Sequence, residues 1–225
     1  MSKAIFWDFD GTLIHPNESF RDSLITACKQ NGINITKDYA KKIMREVCSW
    51  YKPEESFEGK VGDLWWSYLL NDLEISLKSI TGDSDLDVIL SSFKNNVINY
   101  KYKKYWDAKS ILRYTKTKGF NNYIISSNFP ELVEVSNRLD FSNFLDDFYL
   151  SSLIGYEKPR QELFQYAYDK SGKPDICYMI GDNPMADMKG GKTVGMKTVL
   201  VHNIKKKNEY CDFVVKSLGM IKKIL

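Results

Sequence analysis

The sequence has few of the residues that build zinc, disulfide or redox sites. Its 225 residues include only four cysteines and two histidines, His15 and His202. The cysteines show no CxxC spacing and have no neighbouring histidine cluster, so no zinc site or redox motif is indicated. They are Cys28, Cys48, Cys177 and Cys211. We expect reduced, partly buried thiols, and we assign neither histidine a role.

A strong charge imbalance and long apolar runs are also missing. The 32 basic and 29 acidic residues leave a net charge of +3, and the basic runs at 101–104 and 205–207 are short. Such runs are more typical of a solvated surface than of a nucleic-acid interface. No 18 uncharged apolar residues occur in succession, and no signal-peptide pattern precedes the first apolar run. We expect a cytoplasmic protein that binds neither nucleic acid nor membrane, and no partner protein is indicated.

The most informative stretch lies near the start of the chain. An apolar run at 4–7 is followed by Asp8 and Asp10, and then by Gly11 and Thr12. A short apolar run that ends in a turn signal is typical of a strand buried on both faces. In a parallel sheet the carboxyl ends of the strands line the ligand crevice, so we expect both carboxylates and the peptide groups of Gly11 and Thr12 to face it. A simple Asp-Gly turn is the alternative.

The remaining chain divides into two regions with different sequence patterns. Residues 15–99 show helical spacing in four apolar stripes. Turns are expected at Pro53 and 59–62, and a loop is expected at 81–85, where Ser84 or Asp85 would cap the next helix. From residue 100 onward, strand-like runs at 123–125, 148–150, 176–180, 198–201 and 213–215 alternate with helical segments at 107–118, 131–139, 161–169 and from 185. This alternation predicts an α/β fold, a doubly wound, Rossmann-like parallel sheet with an inserted helical block. The stripes are Leu24, Ile25, Ala27 and Cys28; Ile43, Met44, Val47 and Trp50; Leu64, Trp65, Tyr68, Leu69 and Leu73; and Leu86, Ile89 and Phe93.

Polar residues follow three of the predicted strands, and a lysine occupies a loop. Carboxylates packed at one sheet edge repel one another unless a cation neutralises them, and an all-oxygen acidic site suits magnesium. A lysine, a serine hydroxyl and the amides of Gly11 and Thr12 would donate to an anion, which indicates a phosphoryl group. The residues at these positions are Asp8, Asp10, Ser126, Ser127, Asn128, Lys158, Asp182 and Asp187.

These residues resemble the four ordered motifs of the haloacid dehalogenase superfamily. The motifs are 8–12, Ser126, Lys158 with Pro159, and 181–187. The resemblance implies a core at 1–14 and 100–225 with a helical cap at 15–99. Relatives often have asparagine after the serine, whereas this chain has Ser127 and then Asn128; either could donate to phosphate, and a shifted register would make Ser127 the phosphate ligand.

The resemblance also implies a role for each residue. Asp8 would be the nucleophile that forms an aspartyl-phosphate, and Asp10 would be the general acid and base. Ser126 and Lys158 would hold the phosphoryl oxygens. The metal ligands would be Asp8, the carbonyl of Asp10 and Asp182, while Asp187 would orient Lys158 or complete the outer shell. Halide-removing members lack the second aspartate, so Asp10 favours phosphate-ester chemistry.

The resulting hypothesis is a magnesium-dependent phosphatase acting on a small phosphorylated metabolite. The alternatives are a phosphomutase that uses the same site and, from a different class, a non-catalytic relative that binds a metabolite or protein. Alternative interpretations of single residues also stay open. Lys158 would be a solvated loop lysine, Ser126 a helix cap and Asp187 a helix N-terminal residue. Of the aromatic residues at 50, 51, 65, 66 and 68, we expect most in the core and one or two at a substrate pocket.

Overall fold

The computed structural model describes residues 1–81 and 86–225, which include a six-stranded, fully parallel sheet. The strands are β1 (Lys3–Trp7), β2 (Asn121–Ser126), β3 (Asp147–Leu150), β4 (Ile176–Gly181), β5 (Lys197–Val201) and β6 (Phe213–Val215). Their order is β3-β2-β1-β4-β5-β6, so the chain winds outward in both directions from β1. Every predicted strand is confirmed, and the reversal of strand order at β1 creates the crevice in which α/β proteins bind ligands.

The apolar runs become strands because both faces of the sheet are buried. Ile5 and Trp7 of β1 pack on one face, while Ala4 and Phe6 pack on the other. β1 pairs with β2 and β4 in parallel register, with Phe6 opposite Tyr123 and Met179. Continuous apolar sequence is therefore what these central positions require.

The block between β1 and β2 is helical, as predicted. Its helices are α1 (Ser19–Gln30), α2 (Lys37–Val47), α3 (Asp63–Thr81) and α4 (Leu86–Ile98). Most stripe residues are buried, but Leu64 and Tyr68 are 53% and 42% exposed. Trp50 lies beyond the end of α2, in the 3-10 turn Ser49–Tyr51, because Cys48 adopts an extended conformation. The predicted capping residues Ser84 and Asp85 lie outside the described residues.

Helices cover both faces of the sheet after residue 100. They are α5 (Ala108–Thr117), α6 (Leu132–Arg138), α7 (Ser151–Ile154), α8 (Gln161–Lys170) and α9 (Gly190–Lys192). Short 3-10 segments occupy Ser142–Phe144, Ile204–Lys206 and Leu218–Lys223. The helix predicted from 185 is a π-helical turn, Pro184–Lys189, that runs into α9. Gly119 follows α5 with φ +78°, the left-handed conformation that favours glycine after a helix. The doubly wound fold with inserted helices is thus confirmed.

Backbone hydrogen bonds join the helical insertion to the sheet domain at two places in the described part of the chain. The two segments that connect the insertion to the sheet domain run antiparallel. The His15 amide donates to Lys103 O (2.8 Å), and the Tyr105 amide donates to Leu13 O (3.0 Å). The second place is the segment 57–62, which we call the docking segment. Its Phe57 amide donates to Gly155 O (2.7 Å). The segment also donates from the Gly62 amide to Ser152 O (2.9 Å). One hydrophobic cluster continues from the insertion into the sheet, so the two parts share a core.

All four cysteines are free, and three of them are buried. Among residues 1–81 and 86–225, no helix combines the length and apolar character needed to cross a membrane.

Candidate active site

The carboxyl end of β1 positions Asp8 in a nearly closed environment. Its side chain is buried, and both carboxylate oxygens are engaged. Oδ1 accepts from Lys158 Nζ at 2.5 Å, and Oδ2 accepts from Thr12 Oγ1 at 2.8 Å. Charge-assisted hydrogen bonds of this kind fix a carboxylate in one orientation. Thr12 on the adjacent turn and Lys158 on a distant loop therefore fix the orientation of the Asp8 carboxylate.

Lys158 connects two aspartates that are far apart in sequence. Its Nζ also donates to Asp187 Oδ1 at 2.6 Å. Asp187 Oδ2 in turn accepts from the Asn183 amide at 3.0 Å. Burial alone would lower the pKa of Lys158, but the Asp187 and Asp8 carboxylates raise it, so the ammonium stays charged. Lys158 is 9% exposed, which contradicts the alternative of a solvated loop lysine.

Asp8, Asp182 and Asp187 form an acidic cluster. One carboxylate oxygen of each lies within 4.8 Å of the others. Burial, followed by the charge of Asp8, raises the pKa of Asp182 to about 6 and that of Asp187 to about 7. One lysine does not balance three carboxylates, so the cluster favours a further cation. Its all-oxygen donor set fits Mg²⁺.

Asp10 lies beside this cluster but has different partners. Its two carboxylate oxygens accept from Asn17 Nδ2 and Asn128 Nδ2, each at 2.5 Å. Burial, followed by the charge of Asp8, raises the pKa of Asp10 to about 6. A carboxyl group with such a pKa can carry a proton near neutral pH and still release it.

The turn after Asp10 differs from the expected arrangement. We expected the amides of Gly11 and Thr12 to donate to an anion, but they donate within the turn, to Ile14 O (2.9 Å) and Phe9 O (3.3 Å). Gly11 has φ +83°, and a Cβ built there would lie 2.7 Å from the Asp182 carboxylate. Glycine is therefore required because Asp182 occupies the space of a side chain, while the hydroxyl of Thr12 contacts Asp8.

The three polar residues at the end of β2 differ in their hydrogen bonds. The Ser126 side chain lines the cavity, and its hydroxyl has no hydrogen-bond partner in the described part of the chain, so it can donate to a ligand. Ser127 Oγ accepts from the Lys158 amide at 3.2 Å, and Asn128 donates to Asp10. Ser126 is thus the serine without a protein partner among the described residues, while the Ser127 hydroxyl hydrogen is also free to donate.

The side chains of two asparagines that we did not predict contact the aspartates. Asn203 Nδ2 donates to Asp182 O (2.9 Å) and Oδ2 (2.8 Å) and so orients that carboxylate. Asn203 lies just after β5, so the rule that located Asp8 could also have located it. Asn17 lies in the connection to α1, and no spacing or strand end marks it.

Both histidines pack against one tyrosine. The rings of His15 and His202 lie on Tyr105, each with a centroid separation of 3.9 Å. His202 Nε2 donates to Thr12 O at 3.2 Å, and burial lowers the pKa of His202. The stack therefore supports the turn that carries Thr12.

A cavity of about 420 Å³ lies between the strand ends and the insertion. From the sheet domain it is lined by Asp8, Asp10, Ser126, Ser127, Asn128, Lys158, Asp182, Asn183, Ala186 and Asp187. From the insertion and its connections it is lined by Asn17, Glu18, Ser19, Phe20, Arg21, Lys41, Met44, Trp50, Tyr51 and Tyr102. Of the five aromatic residues considered from sequence, Trp50 and Tyr51 reach the cavity, whereas Trp65 and Trp66 are buried and Tyr68 is exposed.

Comparison with known proteins agrees with this arrangement. The family model described as haloacid dehalogenase-like hydrolase matches residues 2–195. A glyceraldehyde 3-phosphate phosphatase from Pyrococcus furiosus is 27% identical over 236 residues, covering 99% of this chain and 92% of that protein.

Two solved structures share the fold over the full chain. The 2-haloacid dehalogenase from Pseudomonas syringae pv. Tomato has a TM-score of 0.73 at 18% identity, covering 100% of this chain and 98% of that one. YfnB from Bacillus subtilis, solved with magnesium bound, has a TM-score of 0.72 at 18% identity with the same coverage. At these identities the structures support the fold, and the chemistry has to be argued from the site.

Proposed function

This chain belongs to the haloacid dehalogenase-like hydrolase family, and from that premise we propose that it is a magnesium-dependent phosphatase acting on a small phosphorylated metabolite. The observation that carries the proposal is the pair Asp8 and Asp10. Asp8 is fixed by Lys158 and Thr12, while the raised pKa of Asp10 suits a proton carrier at neutral pH. Displacing an alcohol from phosphorus needs both an attacking oxygen and an acid.

Asp8 acts as the nucleophile in the first step. A carboxylate oxygen bonds to phosphorus as the bond from phosphorus to the alcohol oxygen breaks, which leaves an aspartyl-phosphate. Asp10 gives its proton to the departing oxygen. In the second step Asp10 takes a proton from a water molecule, whose oxygen bonds to phosphorus and releases phosphate and the Asp8 carboxylate.

Ser126 and Lys158 hold the phosphoryl oxygens in this scheme. The hydroxyl of Ser126 lines the cavity without a partner among the described residues, and Lys158 supplies a buried positive charge next to Asp8. Asn17 and Asn128 keep Asp10 in place, which limits the geometry in which it can transfer a proton.

Asp8, Asp182 and the carbonyl of Asp10 would hold Mg²⁺. When bound, Mg²⁺ would neutralise charge on the phosphoryl oxygens during transfer. Asp187 is fully buried and accepts hydrogen bonds from Lys158 and from the Asn183 amide, and we assign it the orientation of Lys158. Asn203 orients Asp182 in turn.

We assign the cap role to residues 15–99 and the core role to 1–14 and 100–225. The insertion closes the cavity above the strand ends and would exclude water while selecting the alcohol part of the substrate. The name of the Pyrococcus furiosus relative, glyceraldehyde 3-phosphate phosphatase, is consistent with a small phosphorylated substrate.

The nucleophile assignment is tested with Asp8→Asn in an assay of p-nitrophenyl phosphate hydrolysis with Mg²⁺. We expect turnover to fall by roughly 10³-fold or more, because the amide cannot form the covalent intermediate. Asp38→Asn, at an exposed position in the first turn of α2, is the control and should keep full activity. Unchanged hydrolysis in Asp8→Asn would disprove the assignment.

Two further measurements complete this test. Chelation should abolish turnover, and added Mg²⁺ should restore it; activity that persists without metal contradicts the metal role of Asp182. Inorganic phosphate should be the main product, whereas transfer of the phosphoryl group to a second hydroxyl would identify a phosphomutase.

A further inference from the structure

We propose that the substrate is a phosphate monoester whose alcohol carries a flat aromatic ring. This inference rests on the proposed phosphatase function and defines the part of the substrate that the insertion would contact. It follows from the aromatic side chains that the insertion and its connections contribute to the cavity lining.

The insertion and its connections line the cavity with four aromatic side chains as well as with polar ones. Phe20, Trp50, Tyr51 and Tyr102 line it, together with the thioether side chain of Met44. Tyr51 is 48% exposed, so its ring is accessible from the cavity. Aromatic and sulfur-containing side chains stabilise a bound aromatic ring through stacking and edge-to-face contacts. The cavity wall therefore matches a flat ring.

The rings of this wall are held in place by one another. Phe20 and Trp50 meet edge to face, with centroids 4.8 Å apart and planes at 74°. Phe20 also stacks on the buried Trp66 at an interplanar angle of 14°. A surface that is ordered before binding loses less conformational entropy when a ligand is added.

Two polar groups of the same lining are committed to protein partners. Tyr102 donates its hydroxyl hydrogen to Val97 O at 3.0 Å. The guanidinium of Arg21 lies 2.7 Å from Asp22 and 3.4 Å from Glu18. A substrate hydroxyl placed against Tyr102 or Arg21 therefore meets a group that is already engaged.

Matched pairs of substrates test the inference in the full-length enzyme. Uridine 5′-monophosphate and ribose 5-phosphate differ by the base, and benzyl phosphate and cyclohexylmethyl phosphate differ by aromaticity. We expect kcat/KM to be about tenfold higher for the aromatic member of at least one pair, equivalent to about 1.4 kcal/mol. A preference in the first pair identifies a nucleobase, and a preference confined to the second identifies a smaller ring.

Variants of the wall show whether it causes the preference. Tyr51→Leu should bring the kcat/KM ratio of the preferred pair towards one, and Trp50→Leu should do the same. Tyr68→Leu, an exposed tyrosine of α3 outside the lining of this cavity, should keep the ratio. Because Tyr51 is half exposed, its substitution is compatible with folding.

Three results would overturn the inference. They are ratios near one in both pairs, higher kcat/KM for D-glyceraldehyde 3-phosphate than for any aromatic substrate, and a ratio that Tyr51→Leu does not change. If the saturated substrates are hydrolysed equally well and Asp8→Asn stops that hydrolysis, the ring inference fails while the phosphatase function stands. Hydrolysis that is insensitive to Asp8→Asn would remove both.

Discussion

Gly11 shows how one residue can be required for the space that it leaves open. Its left-handed backbone and the nearby Asp182 carboxylate both act against a side chain. Metal affinity depends on how ligands are oriented, and changes around a ligand typically alter it by 10- to 100-fold. A methyl group at this position should therefore disturb the site well beyond its effect on the turn.

We predict that Gly11→Ala lowers the apparent affinity for Mg²⁺ by about 10-fold or more and lowers kcat/KM with it, because the added Cβ displaces Asp182. The measurement is activity as a function of Mg²⁺ concentration. Gly32→Ala is a matched control, since Gly32 has φ +79° but no atom within 4 Å of a Cβ built there. Equal losses in both variants would attribute the effect to backbone strain alone.

The site residues differ in how far the sequence predicts them. Asp8, Ser126 and Asp182 follow apolar strands, and a parallel sheet brings such strand ends together, so their meeting at one cavity was predictable. Asn17 has no comparable signal, because its contact with Asp10 depends on how the insertion folds back. The internal hydrogen bonds of the Gly11 turn also cannot be predicted from the residue types.

At the scale of secondary structure, the strands were more predictable than the helix ends and exposed positions. Burial on both faces demands apolar runs, which are visible in the sequence. Trp50 continues the spacing of α2, yet the chain leaves the helix at Cys48. Leu64 and Tyr68 fit a helical stripe but are exposed, since periodicity does not reveal which face of α3 the neighbouring elements cover.

The edge of the sheet offers a test that is independent of catalysis. Asp212 precedes β6 and accepts from Lys192 Nζ (2.6 Å) and from the Thr198 amide of β5 (2.8 Å). Burial alone would raise the pKa of Asp212, but the hydrogen bonds from Lys192 and Thr198 outweigh it and lower the pKa. Such a group stabilises the fold above its unfolded-state pKa, and the contribution is lost as pH falls through its folded-state pKa.

We predict that Asp212→Asn lowers the free energy of unfolding by about 1 kcal/mol at pH 7, the scale of exposed charge-assisted hydrogen bonds. The difference from the unsubstituted protein should persist at pH 5 and shrink towards pH 3, below the ordinary aspartate pKa of about 4. Urea denaturation at these pH values measures it. Lys192→Met should reproduce much of the loss, and a difference that grows on acidification would contradict the prediction.

At the scale of the whole molecule, the closed arrangement depends on contacts far from Asp8. Gly155 has φ +92°, and a Cβ built there would lie 2.5 Å from Glu58 Cα in the docking segment. The close approach of two backbones lets the docking segment pair with the sheet domain. This position therefore links the insertion to the loop that carries Lys158.

We predict that Gly155→Ala raises KM by about 10-fold through displacement of the docking segment, since small misplacements of binding groups cost up to roughly 100-fold. Steady-state kinetics with p-nitrophenyl phosphate measures the change. Gly172→Ala, at φ +84° with no atom within 4 Å of the added Cβ, provides the control. An unchanged KM in Gly155→Ala would show that docking does not contribute to binding.

The docking segment also makes closure observable at single amides. The amide hydrogens of Phe57 and Gly62 belong to the insertion but are bonded to carbonyls of the sheet domain. They can exchange with solvent deuterium only when those bonds open, so their exchange rates report the free energy of lifting the insertion. Slow exchange at these two amides would show that the insertion stays docked on the sheet domain in the absence of substrate.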